Sequence, residues 1–134
     1  MDDILLQNFI DNYTSADFGK IKFDWNGQQS DKCDDKNYKF RIELCEFLVP
    51  QLEMAKIELI KDLYLELARC GKETWGIYNK FHLFGKQLLM SGGVQYLKYY
   101  MQGASLSFDT FLASGQLKLT GNWLNNFWTI SIIL

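Results

Sequence analysis

The single histidine, His82, and the three cysteines, Cys33, Cys45 and Cys70, are the side chains best suited to acid–base, nucleophilic or metal chemistry. A histidine titrates near neutrality, but no residue beside His82 in the sequence gives it a recognised catalytic context. The four residues are separated by 12, 25 and 12 positions, whereas zinc ligands usually occur in close pairs. The sequence therefore predicts a non-catalytic protein without a metal or an essential thiol, and leaves a small enzyme that uses His82 as an alternative.

Acidic residues and glycines also fall short of the patterns that bind calcium or phosphate. The stretch from Asp24 to Asp35 contains four aspartates, but its glycine, Gly27, stands at the fourth position and no glutamate closes the stretch at the twelfth, unlike an EF-hand loop. The pair Gly92-Gly93 is followed by valine and glutamine and lacks the ending of a phosphate-binding loop. We therefore expect no cofactor.

The distribution of charge is the most informative feature of the composition. Fifteen of the 16 acidic residues precede position 74, and the last 61 residues contain one acid, Asp109, together with 12 of the 21 aromatic residues. A surface with charge of one sign attracts partners of the opposite sign before contact. The net charge of −2 and the presence of only two arginines argue against general nucleic-acid binding. The pattern thus favours a protein-binding domain.

Apolar periodicity predicts a mainly α, single-domain bundle of about five to six helices over residues 1–134. A first helix runs from Asp2 to about Tyr13. A short strand is left open near residues 20–25, where apolar and polar residues alternate, and a polar loop follows over residues 26–36. The apolar carboxyl terminus, residues 123–134, is about half the length that crosses a bilayer, and periodicity leaves it as a strand or a helix.

Proline and glycine positions divide the rest of the pattern into predicted helices. Pro50 ends one helix and opens the next, which Gly71 ends. A further helix opens at residues 73–74 and runs to the glycines at 92–93. A short helix follows over residues 94–102 with Gly103 as its stop, and Ser107 caps a last one that ends before Gly115.

Part of the chain resembles a known group of families. The string WGIYNKFHLFGKQLLMSGG at residues 75–93 and SFDTFLASG at residues 107–115 resemble small immunity proteins encoded beside bacterial polymorphic and contact-dependent growth inhibition toxins. The resemblance, mainly over residues 75–115, implies an antitoxin without catalytic activity that binds the cognate toxin C-terminal domain in the cytoplasm of the producing cell. Many such toxins are nucleases with basic clefts, for which an acidic partner is expected.

We therefore place the expected toxin contact on the acidic part of the chain, with the tryptophan as an aromatic anchor. A solvated acidic loop that only keeps the protein soluble is the competing interpretation, and a helical adaptor of a larger complex is the alternative function. No direct contact with nucleic acid or membrane is expected, and nothing at the amino terminus directs export. The predicted toxin-binding residues are Asp24, Trp25, Asp31, Asp34, Asp35, Glu43 and Glu46.

Overall fold

The structure, a computed structural model, describes residues 2–25, 35–74 and 77–113, and the side chains as far as residue 106. The described ranges are mainly helical and contain no named strand, which confirms the predicted fold class. The α-helices are α1 (Asp3–Asp11), α2 (Tyr38–Leu48), α3 (Ile57–Thr74), α4 (Phe81–Gly92) and α5 (Leu97–Ala113). Three 3₁₀ turns accompany them, at Ser15–Lys20, Val49–Met54 and Gly93–Tyr96.

Helix α1 begins where the sequence predicts. The Asp2 side chain accepts a hydrogen bond from the Ile4 backbone N–H at 3.0 Å, which satisfies one of the unpaired donors of the first turn. The helix ends at Asp11, and Tyr13 beyond it is buried. Its hydroxyl donates to a carboxylate oxygen of Asp62 in α3 at 2.6 Å, so the end of α1 is attached to the central helix.

The strand considered near residues 20–25 does not form. A capping box between Thr14 and Asp17 begins the 3₁₀ turn that runs to Lys20, and only an isolated antiparallel bridge joins Trp25 to Asp35. The alternating pattern has another cause, because Ile21 is fully buried in the helical core. The carbonyl oxygens of Ile21 and Lys22 accept from Arg41 of α2, and the Phe23 N–H donates to Glu66 of α3.

The helix break at Pro50 is confirmed, but the next helix begins later than predicted. Helix α2 ends at Leu48, Pro50 lies in the first turn of the 3₁₀ segment, and α3 begins only at Ile57. The delay follows from Ala55, whose backbone is extended with φ −81° and ψ 152°. A residue in this conformation cannot continue a helix.

Two glycines predicted to end helices lie inside them. Helix α3 continues through Gly71 to Thr74, so α4 begins at Phe81 and not at residues 73–74. Helix α5 continues through Gly103 to Ala113, so the two helices predicted over residues 94–113 are one. At Gly103 an added Cβ atom would overlap Cε2 of Tyr64. This glycine therefore permits close contact between α5 and α3 and is not a C-terminal cap.

The ring of Tyr64 is the centre of that contact. It stacks on Phe81 of α4 with centroids 4.8 Å apart and on Tyr100 of α5 at 5.8 Å. Its hydroxyl donates to the Tyr100 carbonyl oxygen at 2.7 Å. A Cβ atom at Gly85 would lie 2.9 Å from the other side of the ring. Helices α3, α4 and α5 are thus joined around one buried tyrosine.

Gly103→Ala should destabilise the protein by about 1–3 kcal/mol, because the added methyl group has no space beside a ring that is stacked on both faces. The gain in helix propensity, about 1 kcal/mol, is too small to offset this clash. Urea unfolding followed by circular dichroism measures the difference. Gly19→Ala is the matched control, since a Cβ atom there meets nothing within 4 Å. Equal stability of both variants would show that α3 and α5 lie further apart.

One hydrophobic core includes residues from all five α-helices. Within residues 2–25, 35–74 and 77–113, none of the helices has the length and apolar character required to cross a bilayer. The helix start predicted at Ser107 is wrong, because Ser107 lies inside α5. Residues 26–34 of the predicted polar loop and the apolar terminus at residues 123–134 lie outside the described ranges.

Candidate functional site

The predicted site residues Asp24, Trp25 and Asp35 lie on two short segments that we call the stem, residues 21–25 and 35–37. These segments lead into and out of residues 26–34, which lie outside the described ranges. Side chains from α2 and α3 hold the stem in place. Each of these contacts is between a charged or polar side chain and a stem residue.

Arg41 of α2 makes the central contact. Its side chain is 0% exposed and forms an ion pair with Asp35, whose side chain is 4% exposed. The same guanidinium donates from Nη1 to the carbonyl oxygens of Ile21, at 3.2 Å, and Lys22, at 3.4 Å. Arg41 therefore binds both segments of the stem at once.

Asp35, on the second segment, binds backbone groups of both segments of the stem. Its Oδ1 accepts hydrogen bonds from the backbone N–H groups of Asp24, at 3.0 Å, and Asn37, at 3.2 Å. The Lys36 N–H donates to the Asp24 carbonyl oxygen at 3.2 Å, and the Asn37 side chain donates to the Lys22 carbonyl oxygen at 2.9 Å. Both backbone polar groups of Asp24 are thus bonded across the stem.

Glu66 of α3 holds the neighbouring residue. Its buried carboxylate accepts the Phe23 N–H at 2.9 Å and forms an ion pair with the partly exposed Arg69. Burial raises the pKa of the Glu66 carboxyl, although the Phe23 N–H and the charges of Arg69 and Arg41 act in the opposite direction. The buried Glu66 carboxylate therefore attaches the Phe23 N–H of the stem to α3.

The Glu66→Gln variant should become more stable relative to the parent protein as the pH rises. Because the pKa is raised on folding, the stabilisation linked to Glu66 is fully present below the ordinary glutamate pKa of about 4.3 and is lost as the pH rises through the folded value. Glutamine keeps an acceptor for Phe23 and cannot ionise. Urea unfolding of both proteins between about pH 4 and pH 7 measures the change.

Glu53→Gln, at an exposed position, controls for the loss of a surface carboxylate. If the stability difference between the parent protein and Glu66→Gln stays constant or grows in favour of the parent as the pH rises, burial does not dominate the ionisation of Glu66.

The stem fixes two of the predicted contact residues near the surface. Asp24 and Trp25 are half-buried, and the Trp25 ring stacks on Phe23 with centroids 5.9 Å apart and planes at 17°. Within the described part of the chain the Asp24 carboxylate forms no ion pair. Asp31 and Asp34 lie within residues 26–34, outside the described ranges.

The remaining predicted residues are separated from the stem or differ from the expected role. The Asp35 side chain is buried and paired with Arg41, whereas the sequence placed this residue among the expected toxin contacts. Glu46 lies eight residues after the start of α2, about 12 Å along its axis, and forms an ion pair with Lys80. Glu43, between them in sequence, is half-buried. Among the described members of the predicted set, Asp24, Trp25 and Asp35 lie together on the stem, and Glu46 pairs with Lys80 of the segment before α4.

Three of the four residues considered for catalysis or metal binding, His82, Cys45 and Cys70, lie within the described ranges. His82 is exposed on α4, and partial burial together with the charge of Lys86 lowers its pKa. Cys45 and Cys70 are free and buried, and burial raises the pKa of both thiols, which weakens them as nucleophiles. Among the residues that the structure describes, no three histidine, cysteine or acidic side chains are grouped as metal ligands.

Motifs in the sequence do not identify Arg41 and Glu66, although the sequence contains a signal for both. Arg41 is on the same helical stripe as the buried Leu44, Cys45 and Leu48, and Glu66 is on the buried stripe of α3. A charged residue at a core position requires a partner inside the protein. That rule predicts that both residues have polar partners inside the protein, but it does not predict which residues the partners are.

Comparisons of the chain with protein-family models, with curated proteins and with solved structures give no match.

Proposed function

We propose that this protein is a non-catalytic immunity protein that binds and neutralises the C-terminal domain of a cognate bacterial toxin. The observation that carries the proposal is the fixed position of Asp24, whose N–H and carbonyl groups are both bonded across the stem. An acidic residue and a tryptophan are held next to each other on a supported backbone. Such preorganised contacts lose little conformational entropy on binding.

The chemistry of this site favours a basic partner. The Asp24 carboxylate forms no ion pair with the described residues, and Asp31 and Asp34 follow it in the sequence. Carboxylates that enter the cleft of a nuclease can occupy the positions of nucleic-acid phosphates, and their charge accelerates association. Trp25 supplies aromatic area of the kind that dominates binding energy at interfaces. The resemblance of residues 75–115 to immunity proteins supports the same function.

The direct test uses the gene immediately upstream of the one that encodes this chain. Its C-terminal domain is expressed from an inducible promoter in a bacterial host, with or without this protein, and growth is measured. We expect arrest of growth without the protein and recovery with it, together with a stoichiometric complex of the two purified chains. If the domain stops growth equally in both cases, the proposed function is wrong.

Reversing Asp31 and Asp34 to lysine should slow association with the basic toxin domain by about tenfold or more at low salt, because the steering charge changes sign. Asp35 is left unchanged, since lysine beside the buried Arg41 would disrupt the stem. Stopped-flow or surface-based kinetics at several salt concentrations measure the association rate. The parent protein should lose its rate advantage as salt increases, and the variant should depend much less on salt.

The matched control is the pair Asp3→Lys and Glu53→Lys, which changes the net charge by the same amount at two exposed positions. This control should associate at nearly the parent rate, because local charge matters more than net charge. Equal slowing of both double variants would place the steering charge elsewhere on the protein. Full protection of cells and unchanged kinetics for Asp31→Lys with Asp34→Lys would make this part of the chain a bystander surface.

A further inference from the structure

The buried ion pair between Arg41 and Asp35 is not expected to stabilise the fold more than a pair of apolar side chains would. Both side chains are almost completely buried, so both charges have lost their hydration. The attraction within a buried pair often does not recover this loss, and apolar residues of similar volume are frequently as stable or more stable. In addition, Nε of Arg41 has no hydrogen-bond partner among the described residues, which adds a desolvation penalty.

The contacts of Arg41 and Asp35 indicate that their charges join the two segments of the stem. Arg41 binds the carbonyl oxygens of Ile21 and Lys22 on the first stem segment and the carboxylate of Asp35 on the second. Asp35 in turn binds the N–H of Asp24 on the first segment. Apolar side chains could fill the same volume but could not bond to these backbone groups. The pair therefore specifies the relative position of the two segments.

We propose that Arg41 and Asp35 form a positioning pair that sets the placement of Asp24 and Trp25 for partner binding and adds little to global stability beyond an apolar pair. The binding part of this inference rests on the proposed function, whereas the placement of the stem does not. In this proposal Asp35 acts through Asp24 and does not itself touch the partner, unlike the contact role that the sequence suggested for it.

The test is the double variant Arg41→Met with Asp35→Leu, which replaces the pair with apolar residues of similar length. Its urea midpoint should equal or exceed that of the parent protein. The N–H groups of Asp24 and Asn37, which lose their acceptor, should exchange with solvent about tenfold faster or more, since each loses the carboxylate to which it is bonded. Hydrogen exchange measured by NMR reports both amides individually without any partner.

Two amides serve as internal controls in the same experiment. The Phe23 N–H is bound by Glu66 and should keep most of its protection, and the Leu63 N–H, in the core helix, should be unchanged. Unaltered exchange at Asp24 and Asn37 would overturn the positioning role. A double variant that fails to fold, or that unfolds at a much lower urea concentration, would show that the pair is needed for stability instead.

A second arm connects placement to binding. With the toxin domain from the upstream gene, the double variant should bind about tenfold more weakly or worse, because an anchor that must be ordered on binding loses affinity. Equal affinity of variant and parent would overturn the binding role of the pair and leave the proposed function standing. If the parent protein does not bind the toxin domain, the proposed function fails, and the exchange measurement still decides whether the pair positions the stem.

Discussion

Arg41→Met alone is expected to lower the free energy of unfolding by about 3–5 kcal/mol, because it leaves one buried charge without its partner. The Asp35 side chain is 4% exposed, so water cannot replace the lost guanidinium. Two carbonyl oxygens of the stem, from Ile21 and Lys22, also lose a donor. Urea or thermal unfolding at neutral pH, followed by circular dichroism, measures the loss.

Two further variants isolate the cause. Adding Asp35→Leu to Arg41→Met should restore the stability to at least that of the parent protein, since the unpaired carboxylate is then removed. Lys80→Met removes the cation of the pair with Glu46, whose side chain is 46% exposed, and should change the stability by less than about 1 kcal/mol. If Arg41→Met and Lys80→Met have the same small effect, the charge of Arg41 is not buried as the structure shows.

The sequence predicted the presence of the helices better than the residues at which they begin and end. Apolar periodicity located the helices, and the restricted backbone of Pro50 located the end of α2, because both signals act within a few residues. The beginning of α3 at Ile57 could not be predicted in the same way. It depends on the extended backbone of Ala55, and alanine is an excellent helix former.

The glycines show why local signals were insufficient for α3 and α5. Glycine ends many helices, but it also permits close approach of two helices, since it lacks a Cβ atom. Which role applies at Gly103 depends on Tyr64, 39 positions earlier in the sequence, whose ring occupies the space of the missing side chain. No pattern within α5 contains that information.

The sequence predicted that the candidate site is acidic, but it did not predict the hydrogen bonds and ion pairs within the site. The excess of acidic residues was visible in the sequence, yet aspartates of the same type have different roles. Asp24 keeps a carboxylate without an ion pair among the described residues, whereas Asp35 pairs with Arg41 inside the protein. The distinction depends on which residue meets the arginine in the folded chain, and spacing alone does not specify this.

Leu63→Ala should have the other large effect on stability, about 2–5 kcal/mol. Leu63 is 0% exposed and lies in the middle of α3, the helix that contacts both α4 and α5. Its removal deletes apolar contacts and leaves a cavity that rings fixed by stacking, such as Tyr64, cannot easily fill. The helix itself is not weakened, because alanine has the higher helix propensity.

Leu5→Ala is the matched control, since Leu5 is a helical leucine that is 59% exposed. The same chemical change there should alter the free energy of unfolding by less than about 0.5 kcal/mol. Chemical denaturation of both variants at one pH and salt concentration gives the comparison. A loss below about 0.5 kcal/mol for Leu63→Ala would place this side chain on the surface, which would contradict the packing of α3 between its two neighbours and with it the helical core that supports the stem.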